Sequence, residues 1–275
     1  MREGPDWLSV SSFRRSGPLF RQGPFLFRSL SLPFPPLAGK RLFFISDLHV
    51  RQERVFSFPR GSSWAGTAEL RRFFHAAAEA LHPDLVILGG DLASETVLTD
   101  EALEIFASFP GRPVRIAIPG NWEYKHVWTT AARWKQWFRE AGIRFLLNEC
   151  FEWEGLRFFA ADDFKSGKPV FPVRFPDDGR MNILLTHNPD NVPDIPPSLL
   201  KQTRLILSGH THGGQIRLPG FGAFYCSTRV WKRFESGLYR NHATGTELAV
   251  SDGIGTSGVP FRLFCPPSAL CVCFP

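Results

Sequence analysis

Between residues 40 and 215, short apolar runs alternate with longer stretches of helical period, and each apolar run ends in the same way. Arg41-Leu42-Phe43-Phe44-Ile45 leads into Ser46-Asp47-Leu48-His49, and Leu85-Val86-Ile87-Leu88 leads into Gly89-Gly90-Asp91. The run over 112–118 delivers Pro119-Gly120-Asn121-Trp122-Glu123, and Met181-Asn182-Ile183-Leu184-Leu185 delivers Thr186-His187. Arg204-Leu205-Ile206-Leu207 delivers Ser208-Gly209-His210-Thr211-His212-Gly213-Gly214-Gln215. Such runs, bounded by glycine and polar residues, read as buried strands. Polar residues just past a strand's C-terminal end lie where open α/β sheets carry their chemistry.

The stretches between them read as amphipathic helices. Residues 67–82 place Leu70, Phe73, Phe74, Ala77 and Leu81 on one stripe, and 99–109 do the same with Ala102, Ile105, Phe106 and Phe109. Residues 129–141 align Trp134, Trp137, Phe138 and Ala141, with Gly142 as the stop. Those tryptophans share the period of a buried stripe, so they read as core or interface. Beyond residue 142 the helical period fades. Two strands around Gly155 are predicted, with further strands over 224–226, 247–250 and 269–274.

Residues 1–37 differ from the rest. Arg2, Arg14, Arg15, Arg21 and Arg28 are scattered among Pro, Ser, Phe and Leu without helical period, which reads as a basic, Pro/Phe-rich arm: a tail or a lead-in strand. It contains neither an uninterrupted span of about 20 apolar residues nor a signal-peptide pattern. Phe13, Phe20, Phe25 and Phe27 suit contact with an anionic bilayer surface, cover over a cleft, or packing on a sheet. The remainder, 38–275, reads as one domain.

With 275 residues, 43% of them hydrophobic and 21% charged, the chain has the composition of a globular α/β protein. Its formal charge of +6 suits an anionic substrate or an acidic membrane surface, and no basic run of the nucleic-acid-binding kind accompanies it. Five cysteines at irregular spacing argue against a disulfide framework and for a reducing, cytoplasmic location.

The chemistry gathers at the five junctions. Two imidazoles one residue apart among three glycines suit metal binding better than packing. Taken alone, that stretch also reads as a glycine-rich turn with exposed histidines, and Asp47-x-His49 as a turn aspartate beside a chance histidine. In an extended segment Asp47 and His49 point the same way and can grip one ion. Together the junctions offer Asp47, His49, Asp91, Asn121, His187, His210 and His212. This set is too large for one tetrahedral ion and right for two ions sharing a carboxylate. Without cysteine it suits Mn²⁺, Fe or Zn²⁺. Two such ions, about 3.5–4 Å apart, can hold a bridging hydroxide as nucleophile and clamp a phosphoryl group.

The series Asp47-x-His49, Gly90-Asp91, Gly120-Asn121, His187 and Gly209-His210-x-His212 resembles the signature of the calcineurin-like metallophosphoesterase superfamily. The wording of 185–190, of 209–215 and of Gly253-Ile254-Gly255-Thr256-Ser257 resembles its bacterial, often membrane-associated branch. That branch is similar to hydrolases of the UDP-2,3-diacylglucosamine pyrophosphate in lipid A synthesis and to other phosphodiesterases. The resemblance implies a four-layer α/β/β/α sandwich and a divalent binuclear centre, with Mn²⁺ favoured. It implies that Asp47, His49 and His212 hold one metal, that Asn121, His187 and His210 hold the other, and that Asp91 bridges. It also implies a phosphorylated small-molecule or lipid-linked substrate, with peripheral membrane contact through the arm.

One position departs from the pattern. Where the family usually has a histidine after the asparagine, this chain has Trp122, followed by Glu123. Trp122 can donate an indole N–H but cannot transfer a proton. Lys125 and His126 stand near enough in sequence to be considered as substitutes, and Glu123 is expected to order the loop. The alternative to an enzyme is therefore a metal-bearing scaffold that binds a phosphorylated ligand without turnover.

Overall fold

The strand Arg41–Ile45 lies inside a seven-stranded sheet. Its order is Phe20–Gln22, Phe25–Ser31, Ser268–Cys273, Arg41–Ile45, Leu85–Leu88, Val114–Ala117 and Arg144–Phe145. The coordinates are a computed structural model describing residues 6–10, 20–52, 55–58, 62–64, 66–95, 99–125, 130–229 and 233–275. Arg41–Ile45, Leu85–Leu88 and Val114–Ala117 pair in parallel, so the loops that follow them emerge along one edge. The pleat sends alternate side chains to opposite faces. Phe43, Ile45, Val86 and Leu88 pack with Leu70, Phe73, Phe106 and Phe138 from three helices, Gly66–Leu81, Thr99–Ala107 and Ala131–Glu140. Leu42, Phe44, Leu85 and Ile87 face the other way.

There they meet a second seven-stranded sheet. Its order is Trp7–Val10, Gly237–Asn241, Glu247–Val250, Thr203–Ser208, Met181–Thr186, Leu156–Ala160 and Glu149–Trp153. Phe158, Ile183, Leu185, Leu205 and Leu207 fill the space between the sheets. The outer face, with Phe159, Leu184, Ile206 and Leu248, is covered by Val192, Ile195 and the short helix Pro197–Gln202 through Leu199. This is the expected α/β/β/α layering. Met181–Thr186 and Thr203–Ser208 are also parallel, so His187 and the His210 loop leave a common edge.

The structure corrects several elements. Residues 224–226 are not a strand; the local pairing is a tight hairpin between Arg217–Leu218 and Gly222–Ala223. Val55–Phe58, Ser62–Trp64 and Phe261–Leu263 form a small sheet that no periodicity announced. None of those strands exceeds four residues, and although Val55–Phe58 and Ser62–Trp64 are neighbours in the chain, Phe261–Leu263 joins Val55–Phe58 from about two hundred residues away.

Residue 37 marks no structural break. Phe25–Ser31 pairs with Ser268–Cys273 along its length, and Trp7–Val10 pairs with Gly237–Asn241 at the edge of the second sheet. Phe25 and Phe27 are buried against Phe73, so neither is available to lipid, and Phe13 lies outside the described residues. Arg28 Nη2 lies 2.6 Å from the buried Asp252 carboxylate. Burial raises the Asp252 pKa, but Arg28, Ser236 and Arg262 outweigh it and hold the group below its ordinary value. Among the described residues no helix is long and apolar enough to cross a membrane.

Deleting residues 1–36 is therefore expected to prevent folding. Phe25, Phe27, Leu30 and Leu32 are all buried, and at about 1.5–3 kcal/mol each they rival a domain's whole stability of about 5–15 kcal/mol. A truncated protein that stays soluble and melts cooperatively would contradict this.

Candidate metal centre

The seven candidate ligands come from five loops, and the two sheets bring those loops to one place. Asp47, His49 and His212 offer ligand atoms within 4.8 Å of one another, and so do Asp91, His187 and His210. Asp91 faces both groups: its Oδ2 is 3.3 Å from His49 Nε2 and 3.4 Å from His187 Nε2. Asn121 lines the same cavity as Asp91, His210 and His212.

Asp47 and His49 do not converge as neighbours in an extended segment. The backbone turns there, with φ of 53° at Asp47 and 41° at His49. Asp91, His210 and His212 are also left-handed, at 56°, 68° and 51°. Non-glycine residues in this region cost roughly 1–3 kcal/mol each, and such strain collects at functional sites. Close approach of backbone to ligand supplies the reason for two glycines. A Cβ on Gly209 would lie 2.5 Å from Asp47 Oδ2, and one on Gly120 would lie 2.3 Å from Asp91 Oδ1.

Hydrogen bonds fix the imidazoles. His187 Nδ1 lies 2.7 Å from the Gly89 carbonyl, and His210 Nε2 lies 2.9 Å from the Ser227 carbonyl. A carbonyl oxygen only accepts, so each of those nitrogens carries the proton. In the neutral rings the lone pairs then sit on His187 Nε2 and His210 Nδ1, which face each other at 3.1 Å. Two lone pairs at that distance repel unless a cation lies between them. Without a metal, a proton must serve. Burial opposes a charged His187, but the carboxylates of Asp91, Asp47 and Asp163 prevail and raise its pKa well above the ordinary value.

His210 and His212 are held neutral. Burial and neighbouring His187 push His210 down to about 3, and burial, His49 and Arg262 hold His212 well below its usual value. Neutral imidazole is the ligating form. Two further atoms lack partners: buried Asn121 Oδ1 and His49 Nε2 make no hydrogen bond among the described residues. A buried amide oxygen and an imidazole nitrogen without hydrogen bonds, beside an ionised carboxylate, fit a cation.

Glu123 is buried and is not among the residues that line the cavity. Its carboxylate accepts from the backbone N–H groups of Asp91, Leu92 and Gly120 at 3.0, 2.9 and 2.7 Å, tying two ligand loops together. Its carbonyl accepts from the Trp134 indole at 2.8 Å. The Trp122 backbone N–H donates to Asp91 Oδ1 at 2.8 Å, and the Trp122 ring stands edge-on to His49, with ring centroids 5.2 Å apart. His126 lies outside the described residues.

The supporting residues were not legible from the sequence. Ser94 Oγ lies 3.1 Å from His49 Nδ1. Arg262, fully buried, donates to the carbonyls of Gly255 and Asp252 and lies 3.4 Å from His212 Nδ1. Ser94 stands three residues past Asp91 in the loop after Leu85–Leu88, with no motif to single it out, and Arg262 lies in the strand Phe261–Leu263, far from every junction.

Comparison with known proteins agrees with this geometry. Residues 40–214 match the calcineurin-like phosphoesterase family, an interval that spans all five junctions. The uncharacterized protein YpbG of Bacillus subtilis (strain 168) is 30% identical over 242 residues, covering 85% of this chain and 79% of that protein. An uncharacterized metallophosphoesterase of Aquifex aeolicus (strain VF5) is 29% identical over 200 residues, 69% of this chain and 72% of its own. Among solved structures, the Haemophilus influenzae NAD nucleotidase aligns with a TM-score of 0.47 and 14% identity, over 78% of this chain. This chain spans less than half of that one, 45%. The matched interval, which takes in every candidate ligand, makes this chain a member of the calcineurin-like phosphoesterase family.

Proposed function

We propose that the protein is a two-metal phosphoesterase that hydrolyses a phosphodiester or pyrophosphate bond. Asp47, His49 and His212 would hold one divalent cation and Asn121, His187 and His210 the other, with Asp91 shared. The observation that carries this reading is the pair of carbonyl-fixed ring nitrogens, which leaves His187 Nε2 and His210 Nδ1 facing at 3.1 Å across a gap that calls for a cation. Bound divalent metals would supply Lewis-acid polarisation of the phosphoryl oxygens and lower the pKa of water. The chain's own residues do the rest. Gly89, Ser227 and Ser94 orient the rings, Glu123 joins the Asp91 and Asn121 loops, and the cavity of about 310 Å³ beside them admits the substrate.

A lipid-linked substrate, such as a UDP-diacylglucosamine-type pyrophosphate, is the finer form of this proposal. It is supported by exposed apolar side chains at the cavity: Phe224 and Tyr225 on one side and Val259 on another, with Phe221 on the adjoining hairpin.

The purified protein is expected to bind two metals per chain and to hydrolyse bis(p-nitrophenyl) phosphate, best with Mn²⁺ among Mn²⁺, Fe²⁺ and Zn²⁺. A lipid-linked pyrophosphate should then outperform its deacylated, water-soluble counterpart. Two bound metals without turnover in wild type, with turnover in Trp122→His, would favour the scaffold reading. Fewer than two metals under every condition would end the proposal.

A further inference from the structure

The cavity beside the ligands has a wall that the ligand set does not explain. Among its lining residues the cationic ones are Lys125 and Lys165, and both side chains are solvent-exposed at its mouth. Lys125 Nζ sits 3.7 Å from the centroid of the Trp122 ring, within the range of a cation–π contact. The seat is firm for a surface lysine. The Lys125 backbone N–H donates to the Trp122 carbonyl at 3.0 Å, closing a turn around Glu123, which is itself anchored by three backbone N–H groups. Lys165 approaches from another loop, with Nζ 3.4 Å from Ser227 Oγ, next to the carbonyl that orients His210.

Two ammonium groups facing one small cavity repel each other. Partial burial and Lys165 both lower the Lys125 pKa, against the pull of Asp91. Such an arrangement costs free energy in the empty protein, and an anion entering between the two lysines removes that cost. Trp122 has no proton to transfer, but its ring face fixes an ammonium group at the cavity wall.

Resting on the phosphoesterase reading, we infer that Lys125, seated on Trp122, is a catalytic residue whose ammonium group hydrogen-bonds a non-bridging phosphoryl oxygen, with Lys165 as a second anion-binding group. Its N–H donors face a phosphoryl group whose oxygens gain charge as the ester bond breaks. A positioned donor of this kind acts more strongly on the transition state than on the bound substrate.

The test uses the metal-loaded full chain and the variants Lys125→Met, Lys125→Arg and, as a remote exposed control, Lys201→Met. Lys125→Met is expected to lower kcat on bis(p-nitrophenyl) phosphate about 100-fold, with KM changing less and with metal content and melting temperature unchanged. Its affinity for inorganic phosphate, measured by calorimetry, should fall about tenfold for the loss of one charged hydrogen bond of about 1.4 kcal/mol or more. Lys125→Arg should recover most of both. Lys201→Met should match wild type. A Lys125→Met protein within twofold of wild type in kcat and in phosphate affinity would overturn the assignment. If wild type itself failed to hydrolyse any ester, the phosphoesterase reading would be lost, yet the phosphate titration would still decide whether Lys125 binds the anion.

Discussion

Asp91→Asn is expected to lower hydrolysis of bis(p-nitrophenyl) phosphate by more than about 100-fold and to leave fewer than two metals on each purified chain. The scale follows from metal sites generally, where losing a mere supporting partner of a ligand already costs about 10–100-fold. Asp91 is nearer the centre than that. One of its oxygens lies 3.3 Å from His49 Nε2 and 3.4 Å from His187 Nε2, while the other accepts the Trp122 N–H at 2.8 Å. Asparagine keeps the size and can still accept from Trp122, so the fold should persist. What it removes is the negative charge between the two ligand groups, where burial is opposed chiefly by His187 and the carboxylate's pKa is held well below its ordinary value. Metal analysis separates causes: low turnover with two metals retained would mean that Asp91 does not bridge.

Among single substitutions, Glu123→Ala should have the largest effect on stability. It strands three N–H groups, those of Asp91, Leu92 and Gly120, in a buried position where Glu123 is their acceptor. Each unsatisfied buried donor costs about 1–3 kcal/mol, so the sum of about 3–9 kcal/mol compares with the roughly 5–15 kcal/mol that holds a domain together. Insoluble or metal-poor protein is the expected result. Glu123→Gln keeps one acceptor oxygen and the side-chain volume, and it should fall between the two. Chemical denaturation of the three proteins gives the order. An alanine variant within about 0.5 kcal/mol of wild type, the usual spread of a surface change, would show that water replaces the carboxylate and that the loop needs no such tie.

Both predictions concern residues whose weight is tertiary. Glu123 was expected to order its loop because it follows Asn121 and Trp122, but its partners Asp91 and Leu92 stand more than thirty residues away. Lys125 was, in sequence, one of two neighbours considered as substitutes for the missing histidine, and only the turn from Trp122 placed its Nζ over the indole ring. The N-terminal arm stayed open between tail and lead-in strand for a related reason. Phe25–Ser31 alternates weakly, and the strand that pairs with it, Ser268–Cys273, lies at the other end of the chain. A short strand gains its identity from its partner, and here no local pattern names that partner.

The sequence by itself determined the five strand-to-loop junctions and the residues that follow them. Hydrophobic runs such as Phe43-Phe44-Ile45 and Leu205-Ile206-Leu207 can only be buried, and burial of a run fixes where the next polar residue emerges. It likewise determined the three helices of the first half, whose apolar stripes repeat at helical period. Tertiary structure alone decided how those residues meet. Parallel pairing of strands set the loops on a common edge. Packing of two sheets turned Asp47, His49, Asp91, His210 and His212 into left-handed backbone that none adopts by preference. Carbonyls of Gly89 and Ser227, chosen by proximity in space, fixed which imidazole nitrogens remain free to ligate. Periodicity is a property of neighbours along the chain, whereas a lone pair's direction depends on atoms that only folding brings near.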